Sequence, residues 1–259
     1  MPGKRPALIA AILGSALGVS AARAQDEDTP AVTPYRPSVS TPAELSAPGW
    51  LEFEGGWQRA AGAGGPARRD SLPWTAKLAF TPDWGLRVGG EAWVEQRDDS
   101  GTSLRGSSFG SIVLKRRFGI DEQSAFGLEA GVTLPWGRRG LASDKSDLTA
   151  TAIYSADLGD WHTDLNLAAT HLGAADPGTG TTQALWAGSL SLTLNDRWAL
   201  GGELSGTHQR GLSNASQGLL SASYTVSKAL VLDTGFSRGI GSSGWQVFAG
   251  FTVLGLKLF

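Results

Sequence analysis

The chain has no cysteine and a single methionine. The first absence excludes disulfides, thiolate metal centres and a cysteine nucleophile. Charge is also sparse: charged residues make up 18% of the chain and the formal net charge is −2, where soluble domains carry about 25% charged residues. So little net charge projects no basic field, and no nucleic-acid partner is expected. Imidazole is limited to His162, His171 and His208. A Ser-His hydrolase needs those two groups and a third polar one to orient the base. No G-x-S-x-G occurs, His171 is followed by Leu172, and Ser205 and His208 would face opposite sides of a strand. Three scattered histidines without thiolates do not suggest zinc. No catalytic residue, cofactor or metal site is expected. The Gly62–Gly65 and Gly178–Gly180 tracts lack the Lys-Ser/Thr pair of a phosphate cradle and read as loops.

Glycine and tryptophan are abundant instead. There are 36 glycines in 259 residues and 10 tryptophans, glycine being about twice its usual share of roughly 7%. Hydrophobic residues reach 41%, too many for a disordered chain. The composition suits an all-β wall with many turns.

Residues 1–24 read as a signal peptide. Lys4 and Arg5 precede a small, apolar run from Ala7 to Ala22, and Ala22-Arg23-Ala24 is an A-x-A cleavage site leaving Gln25 first. Cleavage would remove three bases and no acid, so the exported chain is more acidic than the whole. Residues 25–48 read as an extended arm. Pro30, Pro34, Pro37, Pro42 and Pro48 keep it out of any central strand; it is either a periplasmic tail or a partial plug. Beyond it, no run reaches the roughly 18 apolar residues of a membrane helix.

From Gly49 the pattern alternates with a period of two. Leu86, Val88, Gly90, Ala92 and Val94 oppose Arg87, Gly89, Glu91, Trp93 and Glu95, because successive strand side chains point to opposite faces. Twelve such segments are expected, over 49–60, 71–82, 84–97, 109–119, 124–136, 146–158, 161–172, 183–195, 197–210, 215–227, 229–239 and 244–259. Their connections alternate between short turns and longer polar loops. That is the pattern of a transmembrane antiparallel β-barrel with both termini periplasmic, and residues 49–259 are assigned to it. Closure removes sheet edges, which hydrocarbon does not tolerate.

On this reading one face of each strand lines a lumen. The lumen candidates are Glu52, Glu54, Lys77, Arg87, Glu91, Trp93, Glu95, Lys115, Arg117, Glu129, Asp157, Asp164, Glu203 and Asp233. They form either a selective polar path or a charge-paired filling. Twelve strands lie between filled eight-stranded barrels and open ones of 16–18. Trp57, Trp74, Trp84, Trp136, Trp161, Trp186 and Trp198 fit the aromatic belts at the two membrane–water interfaces. Phe259 resembles the terminal aromatic assembly signal of outer-membrane proteins, which implies the barrel-assembly machinery as a partner. Outer-membrane lipid is the other expected partner, with Arg68-Arg69 and Arg138-Arg139 candidate contacts to lipopolysaccharide.

Tyr35-Arg36-Pro37-Ser38, Pro48-Gly49-Trp50-Leu51-Glu52 and the hairpin from Asp147 to Gly173 resemble the outer-membrane transporter family labelled "MetA-pathway of phenol degradation". The resemblance implies an outer-membrane barrel that transports, without a catalytic motif, and its label points toward aromatic solutes. The expected function is passive passage of small solutes, with binding at Trp93 and the charges beside it. The alternatives are a closed barrel that displays loops and, more remotely, a lipase-like outer-membrane enzyme.

Overall fold

A computed structural model of the chain describes residues 29–62, 66–138, 140–141 and 144–259. The signal-peptide expectation over 1–24, and the first four residues of the arm, fall outside the described residues. Twelve strands follow in order: β1 (Trp50–Ala61), β2 (Arg68–Ala79), β3 (Trp84–Arg97), β4 (Ser103–Gly119), β5 (Ser124–Thr133), β6 (Asp147–Leu158), β7 (Trp161–His171), β8 (Thr182–Thr193), β9 (Trp198–Gln209), β10 (Ala215–Ser227), β11 (Leu230–Ile240) and β12 (Trp245–Lys257). Each pairs antiparallel with its chain neighbours, and β1 pairs with β12 to close the barrel. Leu258 N–H donates to Gly49 C=O at 2.7 Å, so the last residues before the exposed Phe259 lie against the start of β1.

Eleven of the expected segments end within three residues of the observed strands at both ends. The exception is β4, which begins at Ser103 instead of 109. The Asp98–Thr102 turn, with Gly101 at φ 85°, reverses the chain at once, so the polar stretch expected as a loop pairs back onto β3.

Three short turns close by the same device. A side-chain oxygen accepts from the backbone N–H groups two and three residues on, or from the N–H and hydroxyl. Thr81 Oγ1 accepts from Asp83 and Trp84 (3.2 and 3.0 Å), and Asn195 Oδ1 from Arg197 and Trp198 (3.0 Å each). Asp121 Oδ1 accepts from Gln123 N–H and the Ser124 hydroxyl (2.9 and 2.7 Å). The Ser124 hydroxyl, then the backbone N–H groups, hold the Asp121 carboxyl below its ordinary range. Two of these turns deliver a tryptophan to the first position of a strand.

The outer face of the wall is apolar. Leu167 and Leu220 are 67% and 70% exposed, and Leu86, Leu114, Leu128, Leu148, Leu190, Leu204 and Phe236 are exposed with them. A continuous apolar band of this extent is foreign to a water-solvated monomer and matches a barrel that spans hydrocarbon.

Candidate functional site

Register fixes which side chains share the inside. Glu52 stands opposite Lys77 and Lys77 opposite Arg87; Lys115 stands opposite Glu129 and Arg117 opposite Gly127. Ser155 faces Asp164, Ser189 faces Glu203, and Asp233 faces Gly250. The register therefore puts Glu52, Glu54, Lys77, Arg87, Glu91, Lys115, Arg117, Glu129, Asp157, Asp164, Glu203 and Asp233 on the inner face. Glu52, Glu54, Lys77 and Lys115 are almost completely buried.

Two lumen expectations need correction. A bulge between Glu91 and Val94 adds residues to β3 and inverts its alternation. Beyond it Trp93 stands opposite the exposed Leu72, and Glu95 opposite Asp70. Both residues lie on the outer face, and Val94 takes the buried inner place. Glu95 accepts there from Arg105 at 2.9 Å.

Trp57, Trp74, Trp84, Trp161, Trp186 and Trp198 lie on the outer face of the register. Trp84, Trp161 and Trp198 begin strands at the short-turn end, which gives that end a ring of indoles. Arg116 lies over Trp84 at 5.2 Å and Trp198 packs against Tyr224 at 4.8 Å. Trp74 departs from the belt: it sits in mid-strand, stacked on Phe53 at 6.4 Å. Trp136 is exposed between β5 and β6, outside the strands.

The arm runs inside the barrel, and its partners are the charged groups of the wall. Val32 N–H donates to Lys228 C=O (2.9 Å) in the β10–β11 turn, Thr33 N–H to Glu52 Oε2 (2.9 Å) and Tyr35 N–H to Glu54 Oε1 (2.7 Å). Lys77 pairs with Glu52 and Glu54 and donates to the Thr33 carbonyl. The Tyr35 ring lies among three cations, 4.0 Å from Lys77 Nζ, 4.4 Å from Lys115 Nζ and 5.6 Å from the Arg87 guanidinium. Such contacts strengthen when desolvated. Lys115 donates to the Tyr35 hydroxyl at 3.1 Å and to the Pro42 carbonyl, and pairs with Glu129 at 3.5 Å.

Farther along, the arm reaches the opposite wall. Arg36 pairs with Asp233 at 3.3 Å. It passes over Gly56 and Gly250, which face each other across β1 and β12; an added Cβ on Gly250 would lie 2.6 Å from the guanidinium nitrogens. Ser40 donates to Glu203 Oε2 through both N–H and hydroxyl, each at 2.8 Å. Thr41 and Asn166 exchange two bonds of 2.7 and 2.9 Å, and Ala43 N–H donates to Ser155 Oγ at 2.7 Å. Leu45 lies over Gly85, and Gly49 N–H joins Ala79 C=O at 2.8 Å as the chain enters β1.

Sequence reasoning did not assign Tyr35, Arg36, Ser40, Glu44, Ser155 or Asn166 to the lumen. The arm has no period, so nothing local marks which of its residues meet the wall.

Two internal spaces border the described residues of the arm. One, of about 440 Å³, lies at the long-loop end above Val39 and is lined by Leu185, Ser205, Thr207, Gln217 and Gln246 among others. The other, of about 290 Å³, lies between the arm and the inner faces of β7–β10, beside Ser189, Ser191, Gly201, Ser221 and Ser223. Ser40 on Glu203 stands between them. Of the remaining histidines, His208 bonds Asn214 at 2.7 Å while Ser205 is buried inside, so they form no catalytic pair.

No protein-family model matches the chain, and no curated protein matches it. Solved structures do. An outer membrane channel from Pseudomonas putida F1 aligns with a TM-score of 0.64 at 13% identity, covering 82% of this chain and 98% of that one. The NanC porin aligns at 0.56 and 9% identity, covering 80% and 100%. The KdgM porin, solved with disordered oligogalacturonate, aligns at 0.53 and 11% identity, covering 78% and 98%. At these identities the likeness defines the fold: a closed antiparallel barrel of the outer-membrane kind.

Proposed function

We propose that the protein is an outer-membrane channel for the passive passage of small solutes, with the arm as a plug in its lumen. In this reading the chain is exported by cleavage after Ala24 and the short turns and both termini face the periplasm. The observation that carries it is the inverted wall, with leucine and phenylalanine outside and paired charges inside. Water would penalise that arrangement, whereas a bilayer requires the apolar exterior and permits the polar interior. The likeness to outer-membrane channels and porins supports it. The family resembled in the sequence makes aromatic solutes the first class to test, alongside small sugars and salt.

The arm separates the two internal spaces, so passage requires it to shift. An engineered disulfide tests both ideas at once, because the native chain has no cysteine to interfere. A Cβ built on Gly127 lies 3.4 Å from the Ala43 Cβ, close to the roughly 3.5–4.5 Å of a disulfide. Liposomes carrying reduced Ala43→Cys/Gly127→Cys protein should take up solute above empty liposomes, and oxidation should abolish the excess. No uptake by the reduced or native protein, with a folded barrel verified by circular dichroism, would overturn the channel reading in favour of a closed barrel that displays loops. Equal uptake in both redox states would remove the plug from the mechanism.

A further inference from the structure

Near the short-turn end, the arm and β7 bring a mixed set of donors together. Glu44, His162 and Asp164 each place one ligand atom within 4.8 Å of the others. His162 is held between two carboxylates: its Nδ1 lies 2.6 Å from Asp157 Oδ1 and its Nε2 lies 3.0 Å from Asp164 Oδ1. A lone pair on Nε2 would repel the carboxylate at that distance, so a proton or a metal ion must lie between them. The separation is also that of adjacent ligands on one ion with bonds of about 2.0–2.2 Å. The Asp157 contact is the arrangement that orients a metal-bound imidazole, with the remote nitrogen donating to a carboxylate and the near one left to coordinate.

Two more features converge on the same place. Glu44 Oε2 is buried and has no hydrogen-bond partner. Asp164 is fixed by the Ser155 hydroxyl at 2.5 Å, and that hydroxyl accepts from Ala43 N–H beside Glu44. The cavity of about 290 Å³ is lined by all three ligands, so an ion has an approach. Two carboxylates and a neutral imidazole balance a divalent cation. One nitrogen and two oxygens suit zinc or a neighbouring first-row metal better than magnesium or calcium, which take oxygen alone.

We propose that Glu44, His162 and Asp164 bind a divalent first-row transition-metal ion, which pins the arm to the barrel wall. Binding does not depend on the channel reading; only the effect of the ion on flux rests on it. Titration of tag-free mature protein in detergent with Zn²⁺ should show one saturable site per chain by calorimetry. Glu44→Gln and His162→Ala should each weaken it by at least about tenfold, the scale reached even by outer-shell partners. His208→Ala, on the outer face, should leave it unchanged. Glu44→Gln preserves the side-chain shape and carries the test if His162→Ala does not fold. Absence of saturable binding, or undiminished binding in Glu44→Gln, overturns the site. In liposomes Zn²⁺ should slow uptake through the wild type and a chelator should restore it, with neither effect in Glu44→Gln. Tight binding without a change in flux would overturn the pinning role.

Discussion

The inner faces of β1–β5 and of β8–β12 are built from different chemistry. The first carries Glu52, Glu54, Lys77, Arg87, Glu91, Lys115, Arg117 and Glu129, joined into pairs such as Arg87–Glu129 at 3.0 Å and Arg69–Glu91 at 2.6 Å. The second is mostly serine, threonine, glycine, alanine and glutamine. Among the described residues of these five strands, Glu203 and Asp233 are the only buried charges. The arm lies against the charged wall through Tyr35 and touches the neutral wall chiefly at those two acids. Both internal spaces border the neutral side. Charge here holds the arm, because each buried ion needs a partner, while small neutral side chains leave room. On the proposed channel reading, the path for solute would run along β8–β10, on the side away from the charges that the sequence marks most clearly.

Lys77 is the strongest test of that contrast. It is 3% exposed and serves two carboxylates and a carbonyl. Lys77→Met leaves Glu52 and Glu54 buried together without their cation, and removal of one partner of a buried pair costs about 3–5 kcal/mol. Ser221→Ala on the neutral wall should stay within about 0.5 kcal/mol. Urea unfolding of the lipid-folded barrel reads both. Equal costs would mean that the charged wall does not anchor the fold.

Bulk on the neutral wall should act on flux instead. Ser191 borders the 290 Å³ cavity, and Ser191→Trp should fill much of it. Liposome uptake should fall severalfold while the urea midpoint changes little. Unaltered uptake would move the path away from β8–β10.

Selectivity is a smaller effect. Glu203 Oε1 is buried without a hydrogen-bond partner, and among the described residues no base stands beside it on its own wall. We expect a mild preference for cations, read as a reversal potential across a salt gradient, and Glu203→Gln should move that potential toward zero. Clear anion selectivity in the wild type would contradict the assignment of the neutral wall as the path.

The strands were legible because a half-buried wall imposes strict alternation, and Leu86-Arg87-Val88 or Leu128-Glu129-Ala130 shows it directly. The short turns were legible for the same local reason, since Thr81, Asp121 and Asn195 close them within four residues. The arm was not. Proline removes donors and period together, so the contacts of Tyr35 with Lys77 and of Ser40 with Glu203 depend on a fold that no local pattern encodes. Tyr35-Arg36-Pro37-Ser38 did stand out as a motif, but nothing in it says that its partners lie on β1, β2, β4 and β11. The Glu44–His162–Asp164 cluster was hidden in the same way, because one ligand comes from the arm and the others from β7.

The β3 bulge sets the smallest expected effect and the sharpest check on register. A bulge leaves no mark in hydrophobic periodicity; Ala92-Trp93-Val94-Glu95 reads as smooth continuation of the strand. With unbroken alternation Trp93 and Glu95 would line the lumen, where Trp93→Ala would widen the path and Glu95→Gln would reduce cation preference. With the bulge they face outward, Glu95 among Arg97 and Arg105 at 3.6 and 2.9 Å. Neither substitution should then change solute uptake or reversal potential, whereas Glu91→Gln, before the bulge and bonded to Arg69 and Ser108 inside, should alter the potential. A shift caused by Glu95→Gln as large as that from Glu91→Gln would return Glu95 to the lumen and remove the bulge from the path's geometry.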